Sequence, residues 1–287
     1  MPHIPVLPAE TLELLAIRPE GVYLDCTAGL AGHTALIAQR LTTGIVIAND
    51  RDPESLELAR QNTESLADRI LFHYGTFRSL PDAVREAGFH KIDGILADLG
   101  VSRHQLTSPH RGFSFMADGP LDMRMDSTTG MTAADLVNFT DEKTLADLIY
   151  RLGEERRARR VARALVQARP IRSTLHLADV VSRAVPRTGR LHPATQTFMA
   201  LRMAVNDETG ELDRLLAIVP QLLRPAGRLV IISFMSLDDR VVKHRFRDWA
   251  RQGLCSILTK HPLQPSDLEL SQNAASRSAK LRALEWN

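Results

Sequence analysis

Val22-Tyr-Leu-Asp-Cys-Thr-Ala-Gly-Leu-Ala-Gly-His-Thr34, taken with Ile45-Val-Ile-Ala-Asn-Asp50, is the stretch that decides the fold. A short apolar run leads into a turn of small residues, a helical pattern follows, and a second apolar run ends on an acid. Gly29 and Gly32 allow positive φ and let a ligand lie against the backbone. Asp50 lies 21 residues beyond Gly29, the distance at which an acid at the second strand tip reaches a ribose hydroxyl pair. The stretch therefore predicts the first half of a nucleotide-binding α/β unit and a ligand that contains adenosine.

The composition is that of a folded protein with little net charge. The 287 residues are 44% hydrophobic and 24% charged, which supplies enough apolar side chains for a sizeable core. Basic and acidic residues number 36 and 34, so any affinity for nucleic acid must come from local clusters of charge. The ten histidines are scattered, and no metal site is expected.

The sequence also predicts a cytoplasmic protein without a membrane segment. Its two cysteines, Cys26 and Cys255, lack the spacing of a redox motif and are too few for a disulfide framework, which suits a reducing cytosol. The first residues carry no secretory signal, and no apolar run approaches the roughly 18 residues that a membrane span needs.

Further apolar runs predict the rest of a doubly wound parallel sheet. Ile70–His73, Ile92–Asp98 and Leu229–Phe234 read as strands, with helical patterns between them. Asp98 lies at the end of the second run, and the carboxyl ends of parallel strands line the ligand crevice, so we expect Asp98 beside the reacting groups. A helix cap or a salt-bridged acid is the alternative for this residue. The ending Ala279-Lys-Leu-Arg-Ala283 alternates small or apolar with basic residues and predicts a half-exposed final strand.

The α/β pattern is interrupted in the middle of the chain. Residues 101–130 are rich in Gly, Met and Arg without clean periodicity, and loops of this length inside a domain are usually functional, so we predict a lid or substrate loop, with disorder as the alternative. Residues 132–206 have helical patterns throughout and predict a four-helix-like insertion. The expected organisation is one domain made of residues 1–108 and 207–287, with a substrate loop and helical insertion at 109–206.

An arginine-rich helix is the main charged feature of that insertion. Residues 151–172 hold eight Arg against two Glu. Within this run Ala158, Val161, Ala162 and Leu165 form an apolar face at helical spacing, while the arginines occupy the remainder. The pattern indicates either an ordinary solvated face or a surface that faces a polyanion.

Three classes of protein fit the opening unit: a nicotinamide dehydrogenase, an S-adenosylmethionine methyltransferase, and a binding protein on an α/β scaffold. The dehydrogenase fingerprint needs glycine where Thr27 stands, five residues before Gly32, and this poor match favours a ligand without a pyrophosphate. Acids follow three predicted strands, at Asp50, Asp98 and Asp238, and we expect them to converge on one crevice. Such convergence is hard to reconcile with a mere binding module.

A set of longer motifs runs along nearly the whole chain. They are His3–Val6, Asp25–Thr34, Asp93–Ser102, Arg111–Phe115, Pro120–Asp126, Gly153–Arg156, His192–Thr195, Ala200–Glu208, Ile232–Arg240 and Ser276–Arg282. In the same order, these segments resemble the bacterial MraW/RsmH family, whose members methylate the exocyclic N4 of a cytosine in small-subunit (16S) ribosomal RNA. The segments Pro120–Asp126 (PLDMRMD) and Ser276–Arg282 (SRSAKLR) are far more specific than any glycine-rich turn. The resemblance implies a Rossmann-like class I methyltransferase sheet with an inserted all-helical domain.

The resemblance also implies how S-adenosylmethionine is bound. The turn at Ala31, Gly32 and His33, which follows Gly29, holds the methionine part of the cofactor, and Asp50 takes the ribose hydroxyls. Phe77 lies near the adenine, and Asp98 and Gln105 complete the cofactor site. The residue patterns alone point to Gly29, Gly32, Asp50 and Asp98, whereas Phe77 and Gln105 come only from the resemblance.

For the substrate, the resemblance implies 16S ribosomal RNA or the small ribosomal subunit. We expect Asp98 to accept a hydrogen bond from the amine, directly or through water, and so to localise its lone pair. Phe113 or Phe115 either stacks on the flipped base or belongs to the core. The RNA backbone is expected at the basic side chains of Arg124, Arg159, Arg160 and Arg163. Whether the chain forms a homodimer stays open.

The chain departs from the family pattern near the expected site. Ala31 stands where glycine is usual, adds a methyl group where the backbone approaches the ligand, and disfavours positive φ. Met235 stands where histidine is usual and removes a polar group. The alternatives are therefore a diverged paralogue that methylates another RNA or DNA amino group, and an RNA-binding or assembly protein without catalysis.

Overall fold

The computed structural model describes residues 5–187 and 191–287 and divides the chain into two compact units. The sheet unit consists of Met1–Gly100 and Thr209–Asn287, and the helical unit of Val101–Glu208. His3 and Ile4, the first residues of the first motif, lie outside the described residues. The sequence predicts boundaries at 108/109 and 206/207, and this division lies at 100/101 and 208/209.

The sheet unit is built on seven strands, in the order β3-β2-β1-β4-β5-β7-β6. The strands are β1 Val22–Asp25, β2 Ile45–Asp50, β3 Ile70–Tyr74, β4 Ile92–Asp98, β5 Leu223–Ser233, β6 Cys255–Ile257 and β7 Lys280–Trp286. The first five pair in parallel, and β7 is antiparallel to both of its neighbours. The strand order reverses between β1 and β4, and ligands bind at such a switch point in doubly wound sheets. The predicted Rossmann-like α/β fold is confirmed.

The helices follow the predicted patterns closely in the sheet unit. In chain order they are α1 Pro8–Leu15, α2 Gly32–Ala38, α3 Pro53–Asn62, α4 Leu80–Glu86, α5 Arg103–Thr107, α6 Ala133–Phe139, α7 Glu142–Gly153, α8 Ala158–Gln167, α9 Thr174–Ala184, α10 Thr195–Val205, α11 Glu208–Leu222, α12 Ser236–Arg251 and α13 Asp267–Gln272. The helix start at Asp52-Pro53 is confirmed, because the Asp52 carboxylate accepts hydrogen bonds from the N–H groups of Glu54 and Ser55. Over the two described ranges, every helix is too short or too polar to cross a bilayer.

Apolar side chains cover both faces of the sheet. One cluster joins Ile95 and Ile231 of the sheet to Leu215 of α11 and Phe246 of α12. The other joins Leu96 to Ile37 of α2, together with further strand residues of the opposite face. Because successive side chains of a strand point to opposite faces, strands covered on both sides read as continuous apolar runs.

The prediction of a half-exposed final strand is wrong. β7 lies inside the sheet between β5 and β6, and its central residues are buried. Arg282 pairs with Asp239 of α12, which compensates for the lost hydration of its buried charge. Its Nε and Nη2 donate to the two carboxylate oxygens at 2.6 and 3.2 Å. Lys280 Nζ lies 3.7 Å from the same carboxylate. The alternation of basic residues is therefore due to a buried ion pair and not to solvent.

The helical unit, where the sequence predicts a four-helix-like insertion, contains in its described part five helices of seven or more residues, α6 to α10, and the short α5 precedes them. Glu154 has φ 53° and ends α7, so the arginine-rich helix α8 starts only at Ala158. Segment 101–130 supplies Phe113, Leu121 and other buried side chains to the helical core, so the disorder alternative is wrong.

Removal of Asp239 tests the buried ion pair. Asp239→Ala leaves the Arg282 guanidinium buried without its partner, and we expect the free energy of unfolding in urea to fall by roughly 3–5 kcal/mol. The double variant Asp239→Leu, Arg282→Met removes both charges and should recover most of that loss. A single variant within about 1 kcal/mol of the unsubstituted protein would contradict this assignment.

Candidate functional site

The turn after β1 is held by the buried carboxylate of Asp25. This side chain is 1% exposed, and it accepts hydrogen bonds from the Thr34 hydroxyl at 2.7 Å and the Thr27 N–H at 3.1 Å. The two threonines belong to the start of the turn and to α2, so the carboxylate ties the turn to the helix that follows it. Loss of hydration raises the pKa of Asp25 to about 6.

Two residues of this turn have left-handed backbone. Gly29 has φ +52° and Ala31 has φ 66°. A Cβ placed on Gly29 would meet only the Thr27 carbonyl oxygen, at 4.0 Å, so the backbone there borders open space. Ala31 is 1% exposed and precedes the first residue of α2. Alanine thus adopts the conformation for which glycine is usual, and this costs about 1 kcal/mol or more.

Asp50, at the carboxyl end of β2, completes the turn. Its Oδ2 accepts the Gly29 N–H at 2.7 Å, and its Oδ1 accepts the Asp52 N–H at 2.9 Å. A carboxylate has about four acceptor positions, so these two bonds leave capacity for hydroxyl donors of a ligand. Loss of hydration raises the pKa of Asp50 to about 6.

Asp98 ends β4 at the same edge of the sheet. Its backbone N–H donates to Thr27 Oγ1 at 2.7 Å, which fixes the strand end against the turn. Its Oδ1 is buried and has no hydrogen-bond partner among the residues described. Loss of hydration and the nearby Asp25 raise the pKa of Asp98 to about 8. Asp98 is not a helix cap, because Ser102 is the residue that caps the next helix, α5.

His33 brings an imidazole to this carboxyl group. It is the second residue of α2, and its neighbour Thr34 is bound to Asp25. The His33 side chain is 7% exposed, and its Nε2 lies 3.9 Å from Asp98 Oδ2. The edge of the sheet therefore holds three poorly hydrated carboxyl groups, one imidazole and a glycine turn beside open space. Perturbed titratable groups clustered at a strand switch point are typical of a binding or catalytic site.

The residues that only the resemblance singled out have structural partners. The Phe77 N–H donates to Glu211 at 2.8 Å, and its ring packs on the core of the sheet unit. Gln105 lies in the helical unit, where its side-chain oxygen accepts the Ser102 N–H at 2.9 Å and closes a capping box on α5. Their roles toward a cofactor stay predictions.

For the two phenylalanines, the structure favours the core. Phe113 is 6% exposed and belongs to the core of the helical unit, so its ring offers no free face for stacking. Phe115 packs between two rings, with centroids 4.7 Å from His192 and 4.8 Å from Phe198. Arg124 is engaged as well, because its Nε and Nη2 donate to Asp122 at 2.8 and 2.7 Å. A phosphate at Arg124 would compete with that carboxylate.

The arginine-rich helix has the predicted two faces. Ala158, Val161, Ala162 and Leu165 of α8 are buried. Arg159 and Arg160 are exposed, and Arg163, at 68% exposure, lies 3.4 Å from Glu142. The solvent side of α8 is therefore a basic surface with one acid at its margin.

Sequence reasoning missed Asp25, which holds the turn together. A signal was available, because Asp25 ends its strand as Asp50 and Asp98 end theirs. Asp238 lies buried in the first turn of α12, and its convergence with the other acids stays a prediction. The described residues contain no group of three or more His, Cys, Asp or Glu that could hold a metal ion.

Comparisons with known proteins extend along the whole chain. The model of the MraW methylase family matches residues 1–287. The protein named ribosomal RNA small subunit methyltransferase H of Solibacter usitatus is 74% identical over 283 residues, which cover 99% of both chains. The protein of the same name from Acidobacterium capsulatum is 48% identical over 293 residues, covering 99% of this chain and 98% of its own.

The methyl group of Ala31 provides a test of the turn. If it hinders the ligand, Ala31→Gly lowers the Kd for S-adenosylmethionine, and a gain of about 1 kcal/mol would be roughly fivefold. The free energy of unfolding should stay within about 1 kcal/mol, because relief of the left-handed alanine is offset by the greater freedom of unfolded glycine. Isothermal titration calorimetry measures the Kd.

Ala16→Gly is the matched control for this comparison. Ala16 is exposed and also left-handed, with φ 47°, but it ends α1. Its replacement should leave the Kd unchanged. Equal Kd values for both variants and the unsubstituted protein would show that the methyl group does not affect the ligand.

Proposed function

The chain belongs to the MraW methylase family and is a methyltransferase, and from this premise we propose that it methylates the exocyclic N4 of a specific cytosine in 16S ribosomal RNA with S-adenosylmethionine as the methyl donor. The observation that carries the proposal is the carboxyl group of Asp98, poorly hydrated and with Oδ1 unpartnered, at the strand edge beside the glycine turn. Family membership rules out the dehydrogenase. A protein of this kind would work in the cytoplasm, on RNA or on the small ribosomal subunit.

The residues at the edge of the sheet fit S-adenosylmethionine. Open space borders the backbone at Gly29, where a side chain would intrude. Gly29, Ala31, Gly32 and His33 would hold the methionine part, and Asp50 retains acceptor capacity for ribose hydroxyls. Carboxyl groups with scarce hydration also favour a cationic ligand, because an opposite charge stabilises the ionised form. When bound, the cofactor supplies a methyl group activated by a positively charged sulfur.

Asp98 is suited to an amine acceptor. The lone pair of a cytosine amine is delocalised into the ring, so the nitrogen is a poor nucleophile until an acceptor binds its N–H. As the nitrogen–methyl bond forms, the methyl–sulfur bond breaks with its electron pair left on sulfur, and the nitrogen releases one proton. Asp98 would accept that proton at Oδ1, which has no competing partner in the described chain. With a pKa of about 8, the Asp98 carboxyl group is mostly protonated at neutral pH in the free protein, and the positive charge of the bound cofactor would favour the ionised form that takes up the amine proton.

The helical unit would contribute the RNA contacts. Arg159 and Arg160 expose their guanidinium groups on the solvent side of α8, and Arg163 extends the same side. Such contacts bind phosphates without reading sequence and position the RNA. The alternative of an RNA-binding protein without catalysis predicts no affinity for S-adenosylmethionine, and a calorimetric titration separates it from the enzyme. The paralogue alternative predicts a methyl group on another RNA or DNA amine.

Asp98→Asn tests the acid. The amide keeps the size of the side chain but does not take up a proton, so we expect turnover with 16S RNA to fall by about 100-fold or more. Binding of S-adenosylmethionine is measured in parallel by calorimetry, so that a loss of cofactor is distinguished from a loss of chemistry. Near-normal turnover with the cofactor bound would contradict the role of Asp98.

The same variant has a built-in control for folding. The pKa of Asp98 is raised in the folded protein, from its ordinary 3.8 to about 8, so its contribution to stability is fully present below pH 3.8 and is lost progressively as the pH rises from there through 8. Asp98→Asn should therefore raise the Tm at pH 9, raise it less at pH 5, and leave it nearly unchanged at about pH 3.5. Asp147→Asn, at an exposed acid of α7, should change neither turnover nor Tm.

The basic side of α8 is tested by salt dependence. Replacing Arg159, Arg160 and Arg163 with Gln should reduce the slope of log K for RNA against log salt by about 2, since each phosphate contact on a single strand contributes about 0.7. The control replaces Arg85, Arg247 and Arg251, which are exposed arginines of the sheet unit. Equal slopes for the two triple variants would point to another RNA surface.

A further inference from the structure

The two oxygens of the Asp98 carboxyl group have different surroundings. Oδ2 lies 3.9 Å from Nε2 of His33, whereas Oδ1 is buried without a hydrogen-bond partner among the described residues. Among the residues that the structure describes, His33 is the one basic side chain within 4.0 Å of this carboxyl group. One oxygen thus faces an imidazole, and the other is left for a ligand.

This arrangement is fixed by a network of short hydrogen bonds. Thr27 Oγ1 accepts the Asp98 N–H at 2.7 Å, and the Thr27 N–H donates to Asp25. On the other side of Asp25, the Thr34 hydroxyl donates to the same carboxylate at 2.7 Å, and Thr34 directly follows His33 in α2. Asp25 therefore positions both the strand end that carries Asp98 and the helix turn that carries His33.

We propose that His33 is a positioning residue for methyl transfer: its imidazole holds Oδ2 of Asp98, favours the ionised form of the carboxyl group and leaves Oδ1 for the amine of the acceptor. The proposal rests on the function proposed above. The separation of 3.9 Å is longer than a hydrogen bond, and catalytic hydrogen bonds in ligand-free proteins are often long and tighten in the complex.

The charges around Asp98 explain why such a partner is useful. Asp25 faces Asp98 as a second acid, and its charge, with the loss of hydration, opposes ionisation of Asp98. Donation from His33 Nε2 to Oδ2 stabilises the ionised form, whether the imidazole is neutral or protonated. The ionised carboxylate then accepts the proton that the amine releases at Oδ1, and His33 need not change its own protonation.

The first experiment measures the pH dependence of S-adenosylmethionine binding by calorimetry. A cationic ligand binds the ionised carboxylate best, so the affinity should rise with pH and level off above the pKa of Asp98. His33→Leu removes the donor and should move this midpoint upward by about one pH unit, the equivalent of one hydrogen bond. His33→Gln retains an N–H donor and should restore the midpoint.

The matched control is His73→Gln. His73 is another partly buried imidazole of the sheet unit, but its Nδ1 lies 2.9 Å from the Asn49 side-chain oxygen instead of an acid. Its replacement should leave the midpoint in place. If His33→Leu weakens binding equally at every pH without a shift of the midpoint, His33 has only a structural role and the proposal is overturned.

A second experiment needs neither cofactor nor RNA. In the free protein at pH 9.5, a double-mutant cycle of His33→Leu and Asp98→Asn on the unfolding equilibrium should give a favourable coupling, about tenfold in the equilibrium constant, while the cycle of His73→Gln and Asp98→Asn gives none. Additive effects in the first cycle would overturn the pairing. If the coupling is present but RNA receives no N4 methyl group, the pairing stands and the proposed function fails.

Discussion

Parallel pairing of β1 with both β2 and β4 is the constraint on which the site depends. Asp25 is in register with Ala48 of β2 and Leu96 of β4, so Asp50 and Asp98 each lie two residues beyond a partner of Asp25. Three carboxyl groups therefore reach one edge of the sheet, and burial raises the pKa of the first two to about 6 and of Asp98 to about 8. These acids lower the stability of the free protein as the pH rises from their ordinary pKa of 3.8 to those values, which is the trade-off expected of an active site.

Much of this edge was predictable from sequence, because it depends on short local patterns in which an apolar run ends at an acid or a turn. Apolar runs that end on an acid identified Asp50 and Asp98, and in the second case a glycine turn follows directly. Asp25 has the same position on its strand, but its role depends on Thr27 and Thr34, whose hydroxyl groups carry no periodic signal. The positive φ of Ala31 was not predictable either, because alanine disfavours a positive φ.

Features that depend on distant partners were not predictable. Arg282 looks like a solvent-facing residue until Asp239 of another element meets it inside the protein. Segment 101–130 lacks periodicity because its side chains enter the helical core from irregular backbone: the buried Arg111 Nη2 donates to the carbonyl oxygens of Arg124 and Met125. An arginine count therefore overstates the basic surface. In the run 151–172, by contrast, every arginine except Arg169 is exposed.

The carboxyl edge of the sheet is proposed to act on a single acceptor, an exocyclic amine. The position of the transferred methyl group tests this most directly. Small subunits and free 16S RNA from cells that lack the protein would be incubated with purified protein and isotope-labelled S-adenosylmethionine, digested, and mapped by mass spectrometry. The account predicts a single labelled N4-methylcytidine with the unsubstituted protein and almost none with Asp98→Asn. Label on a ring carbon, on a ribose oxygen or on a purine would contradict it.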